Sequence, residues 1–160
     1  MLNHDKKASN LIDKLAANEE YVGRLYKEYA EIFPILREFW IGLALEEANH
    51  ASWLKKLNAS ISSGSIFIAE GRFNIFAIQT FMDYLVAELA RVQKNGVSLI
   101  EALSITSDIE QSLIESKYFE VFKTDSAEIQ HILKKIRDET LAHRNKAKDE
   151  LEKYKKTTQL

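Results

Sequence analysis

The sequence predicts an all-α fold: four long helices in a bundle of two hairpins, joined by a long crossover that contains an additional helix. Three observations carry this prediction. Apolar residues recur at steps of three and four along most of the 160 residues. Chain breakers are scarce, with five glycines and one proline, against a usual share of roughly 12% for the two together. Helix start and stop signals are few and widely spaced. A chain this long can bury a core as a single domain spanning residues 1–160, and its 46% hydrophobic content excludes disorder.

The first segment runs from about residue 9 to 33, with Ile12, Leu15, Ala16, Val22, Tyr26, Tyr29 and Phe33 as its apolar stripe. Pro34 follows, and proline suits the first turn of a new helix. The second segment extends to about residue 57, with Leu36, Phe39, Trp40, Leu43, Ala44, Ala51 and Leu54 facing inward. The crossover occupies about 58–97. Residues 58–71 read as a loop, rich in Asn58, Ser60, Ser62, Ser63, Gly64 and Ser65. The third segment, about 72–93, is the most apolar, which suits a helix covering the flank of its own bundle or packing across a dimer. Lys94-Asn95-Gly96 ends it, with Gly96 suited to a left-handed helix end. Ser98 with Glu101 reads as a capping box opening a fourth segment to about residue 123. Asp125 with Glu128 reads as a variant capping box opening a fifth, to about residue 155.

Composition removes several functions. Lys+Arg 22 against Asp+Glu 24 gives a net charge of −2, which offers no basic surface for nucleic acid. With no cysteine there are no disulfides, thiolate metal clusters or thiol catalysis. The longest uncharged stretch, residues 57–69, is 13 residues long, short of the roughly 18–20 that span a bilayer. The N-terminus lacks the apolar segment of a signal peptide, so the expected location is the cytoplasm.

The informative residues are the charged ones on apolar stripes. Glu19 interrupts the first stripe, Glu47 and His50 the second, Glu110 the fourth, Glu139 and His143 the fifth. A buried, unpaired carboxylate costs several kcal/mol unless neutralised. Their heights agree. Glu19 lies 14 residues before a turn at residue 33 and Glu47 lies 14 after it. Glu110 and Glu139 lie 14.5 residues either side of a turn between 124 and 125. All four carboxylates are therefore about 21 Å from their turns and form one layer. Four carboxylates and two imidazoles in a layer point to a dinuclear metal site, because two divalent ions neutralise four carboxylates. Imidazole plus carboxylate suits iron or manganese better than calcium or structural zinc.

Glu19 followed by Tyr26, Glu47-Ala48-Asn49-His50, Glu110 followed by Tyr118, and Glu139-Thr140-Leu141-Ala142-His143 together resemble the ferritin-like superfamily, and most nearly the di-iron domain of rubrerythrins. The resemblance covers essentially the whole chain. It implies a ferritin-like four-helix bundle holding two iron ions (Fe2+/Fe3+), with manganese or a mixed pair as the variant. Glu19, Glu47, His50, Glu110, Glu139 and His143 would be the ligands, Glu47 and Glu139 bridging or chelating, and the four glutamates would also be the catalytic residues. The implied reaction is peroxide reduction or oxygen-dependent ferrous oxidation in defence against oxidants, in a homodimer. The alternatives are an iron-handling ferroxidase or storage protein and a helical bundle without catalysis.

The sequence departs from the family pattern in three places. It has no cysteine to make a rubredoxin-like iron site, so an external electron donor protein, such as a rubredoxin-like carrier, must supply electrons. Glu139 and His143 are spaced i, i+4 where Glu47 and His50 are spaced i, i+3. Leu113 stands where rubrerythrins have an extra glutamate, and Glu115 lies around 140° away on the helix.

Overall fold

The three-and-four spacing of apolar residues becomes five α-helices in a computed structural model that describes residues 2–62, 66–68, 75–116 and 120–158. Helix α1 (Leu2–Ile32) begins earlier than its stripe suggests, since Ala8 and Leu11 extend the packed face. Phe33 leaves the helical region at φ −118° and ψ 78°, as the residue before a proline tends to, and a single 3-10 turn (Pro34–Leu36) leads into α2 (Arg37–Ser62). Helix α2 runs five residues past the predicted end because Leu54, Leu57 and Ile61 continue the buried face.

Helix α3 (Ile75–Asn95) lies along α1. Lys14 Nζ donates to Gln79 Oε1 at 2.6 Å and Gln93 Nε2 donates to Glu28 Oε2 at 3.1 Å. Both pairs have the same sequence offset, so α3 runs parallel to α1. Its other face leaves Ile75, Phe76, Tyr84 and Val86 exposed. Gly96 ends the helix at φ +71°, with its N–H on Val92 O at 2.8 Å.

Ser98 and Glu101 form the predicted capping box on α4 (Leu99–Glu115). That helix stops eight residues short of the expected 123. Val121 and Phe122 are buried in the core, and β2 (Phe122–Lys123) pairs antiparallel with β1 (Phe67–Ile68). Helix α5 (Ala127–Thr158) is capped by Ser126, whose Oγ accepts from Ile129 N at 3.4 Å. The expected Asp125–Glu128 box is therefore displaced by one residue, and the serine supplies the oxygen.

Helices α1 and α2 form one hairpin and α4 and α5 the other, with α2 packed against α5. The β1–β2 bridge places the α4–α5 turn at the end where α2 finishes, opposite the Phe33 turn. Helix α1, 31 residues long, is about 46 Å from end to end. Glu19 and Glu47, 14 residues either side of the Phe33 turn, therefore lie about 21 Å from it, near the middle. The matching count for Glu110 assumes a helix to residue 123 and does not hold, because α4 ends at Glu115. Among the described residues no helix is long and apolar enough to cross a membrane.

Candidate metal centre

The middle layer gathers five ionisable side chains within a helical interior that is otherwise mostly apolar. Glu19, Glu47, His50, Glu110 and His143 are each at most 1% exposed. Glu19 comes from α1, Glu47 and His50 from one face of α2, Glu110 from α4 and His143 from α5. Gly23 allows this approach: a Cβ there would lie 3.4 Å from Ala44 O and 3.5 Å from Glu47 Cβ, leaving no room for a larger side chain.

Two groups of potential ligand atoms result. Glu19, Glu47 and His50 each offer one atom within 4.8 Å of the others, and so do Glu47, Glu110 and His143. Glu47 belongs to both. Its Oε2 is 3.1 Å from His50 Nδ1 and its Oε1 is 2.8 Å from His143 Nδ1. The two imidazoles are stacked with centroids 5.7 Å apart. Tyr26 OH donates to Glu110 Oε1 at 2.6 Å, so this buried tyrosine holds a candidate ligand and does more than pack. Tyr118 lies outside the described residues.

Protonation shows how a metal-free cluster is held. Burial lowers the His50 imidazole, but the hydrogen bond and charge of Glu47, with help from Glu19 and Glu139, push it up to about 9. Burial likewise opposes the charge on His143, yet Glu110 and Glu47 push it up to about 11. Burial raises the Glu47 carboxyl, and the two histidines outweigh it, holding that group well below the usual carboxylate range. Burial and the Glu47 charge push Glu110 up to about 7, against the lowering contacts of His143 and Tyr26. Imidazolium charge thus compensates carboxylate charge, and divalent cations can take over that role.

The donor set fits such cations. Glu47 Oε1, Glu110 Oε2 and His143 Nδ1 are buried and make no hydrogen bond. His143 Nδ1 is close to both carboxylates, at 2.8 Å and 3.5 Å, without the direction a hydrogen bond needs. Buried polar atoms rarely stay unsatisfied. Carboxylate oxygens that converge on one imidazole, whose Nδ1 offers a lone pair once its proton leaves, suit a positive ion.

Five of the six expected ligands meet in these two groups. Glu139 does not join either, and its side chain is 28% exposed. The reason is its spacing. Thr140, three residues before His143, occupies the register that Glu47 occupies before His50, and it turns its Oγ1 onto Ile136 O at 2.9 Å. Glu139 is one residue further back, about 100° around the helix, and reaches His50 Nε2 at 2.8 Å from outside. Glu46, not anticipated from sequence, makes the matching contact to His143 Nε2. Its signal was available: Glu46 precedes His50 by four residues, as Glu139 precedes His143. Glu115 is exposed and accepts from Gln111, away from the cluster. No family model, curated protein or solved structure matches the chain.

Proposed function

We propose that this chain is a rubrerythrin-like oxidoreductase with a ferritin-like four-helix bundle and a dinuclear iron centre. The single observation that carries this reading is the shared carboxylate: Glu47 offers one oxygen to each of two ligand groups that contain a histidine and a further glutamate. Glu19 and His50 would complete one metal position, Glu110 and His143 the other. Manganese suits the same donors.

When bound, the metal pair supplies the electrons that reduce peroxide to water, or that reduce dioxygen as ferrous iron is oxidised. The chain's own residues prepare the position. Tyr26, which touches the cluster, packs on Trp40, and Trp40 on Tyr29; all three are fully buried, so this flank would exclude water. Tyr26 fixes Glu110 through its hydroxyl. His50 and His143 must lose their protons before their Nδ1 atoms can bind a cation, so metal uptake releases protons. These 160 residues hold no cysteine-bound iron site to pass electrons on, so this reading takes them from a separate donor site, and the family resemblance adds a homodimer.

The test loads metal-free protein anaerobically with ferrous iron, counts ions per chain and then adds peroxide. Two ions per chain, an oxo-bridged diferric absorbance and peroxide turnover with an artificial donor are expected. Iron oxidation by oxygen without peroxide turnover would favour the ferroxidase reading. A purified chain that takes up neither iron nor manganese would overturn the metal centre and leave a non-catalytic bundle.

A further inference from the structure

We propose that Glu46 and Glu139 are positioning residues, a reciprocal pair in which each carboxylate orients the metal-binding histidine of the opposite helix. The assignment rests on the metal-binding reading above and redefines Glu139, which sequence spacing had placed among the ligands.

Each histidine has an inner and an outer nitrogen. Both inner atoms, His50 Nδ1 and His143 Nδ1, face Glu47. Both outer atoms face a carboxylate from the other helix: His50 Nε2 meets Glu139 Oε2 at 2.8 Å, and His143 Nε2 meets Glu46 Oε2. The reciprocity follows from register. Glu46 and Glu139 each sit four residues before the histidine of their own helix. Helices α2 and α5 cross antiparallel, so equal spacing brings each glutamate opposite the other helix's histidine.

Burial separates the two kinds of carboxylate. The side chains of Glu47 and Glu110 are at most 1% exposed, whereas those of Glu46 and Glu139 are 37% and 28% exposed. The outer pair is also held by cations that do not reach inward, Lys146 Nζ at 3.8 Å from Glu46 and Lys135 Nζ at 3.8 Å from Glu139. A carboxylate on Nε2 keeps the proton there and leaves the Nδ1 lone pair turned toward the cation. A ring released from its outer carboxylate can carry its proton on Nδ1, where it blocks ligation. One clasp on each histidine thus selects the binding tautomer and ties α2 to α5 across the centre.

The experiment titrates zinc ions into metal-free wild type and into Glu46→Ala, Glu139→Ala, Glu46→Gln and Glu139→Gln by calorimetry. It also records 15N spectra of histidine-labelled, zinc-loaded protein. The glutamine variants keep an acceptor for Nε2–H and guard against loss of fold. We expect every variant to keep the two-ion stoichiometry of the wild type. The alanine variants should lose about 10–100-fold in affinity, and the glutamine variants should recover most of it. The spectra should be specific across the seam: Glu139→Ala mixes the tautomers of His50 alone, and Glu46→Ala those of His143 alone. A drop to one ion in both Glu139 variants would make Glu139 a ligand and overturn the assignment. Wild-type affinity and spectra in the alanine variants would overturn it too, with the metal centre intact. A wild type that takes up no zinc would instead remove the centre itself.

Discussion

Glu47 presents one oxygen to each histidine, so a substitution there strikes both ligand groups, while Glu19 and Glu110 each belong to one. Glu47→Ala should therefore weaken both ions by at least about 10-fold in a zinc titration, and Glu19→Ala or Glu110→Ala only one of them. Protonation gives a second prediction. His50 and His143 keep their protons to about 9 and 11 in the fold, against 6.5 for a free imidazole. The folded state then binds more protons than the unfolded one across that window, so metal-free stability is full below about pH 6.5 and falls as pH rises. Glu110, raised to about 7 from 4.5, acts in the same direction over its lower window. Glu47 acts oppositely: its carboxylate stabilises above about pH 4.5 and loses that contribution on acidification. Metal-free protein should melt at a lower temperature at pH 9 than at pH 6. The increase on adding metal should grow over the same interval, because uptake must displace the imidazole protons. Differential scanning calorimetry at the two pH values checks both; a metal-free melting temperature that rises from pH 6 to 9 would contradict the protonated-histidine account.

Helix ends and helix contacts are where local sequence acts most directly. Gly96 is left-handed, so Gly96→Ala should cost about 1 kcal/mol. Ser98 accepts from Glu101 N and opens α4, so Ser98→Ala should cost about 1 kcal/mol as well. Gly23 is the opposite case. It lies in mid-helix, and an added Cβ meets Ala44 O and Glu47 Cβ at ordinary contact distance. Gly23→Ala should gain up to about 1 kcal/mol from helix propensity, whereas Gly23→Leu should push α1 off α2 and disturb the Glu47 layer. Urea unfolding of the variants separates these outcomes by sign.

The assembled bundle depends on its charged layer in a way its apolar core does not. With metal bound, clustered carboxylates are compensated by cations that bind the folded state alone. At about 100 times the dissociation constant, such binding adds ~2.7 kcal/mol. For a chain of this length that corresponds to roughly 5–10 °C in melting temperature. Adding ferrous iron anaerobically to metal-free protein should raise the transition by that amount, and a chelator should reverse it. Sedimentation velocity on the same samples decides the proposed homodimer, and a multi-subunit cage would instead favour iron storage.

Much of this organisation was written in spacing. The five helices, the Gly96 stop, the Ser98–Glu101 cap and the matched height of Glu19 and Glu47 follow from periodicity and rise per residue, which are local properties of a helix. The count that puts Glu110 and Glu139 at the same height assumes that α4 runs to residue 123, and Glu139 lies outside the cluster. What spacing alone could not resolve depends on how separate helices meet. Helix α4 stops early where Val121 and Phe122 enter the core and Phe122 and Lys123 pair with Ile68 and Phe67 from a distant segment. Spacing put Glu139 among the ligands and left Glu46 as an ordinary charge on its helix. Their place outside the cluster, each on the other helix's histidine, arises from the antiparallel crossing of α2 and α5, a relation between chain segments some 90 residues apart that no local pattern encodes.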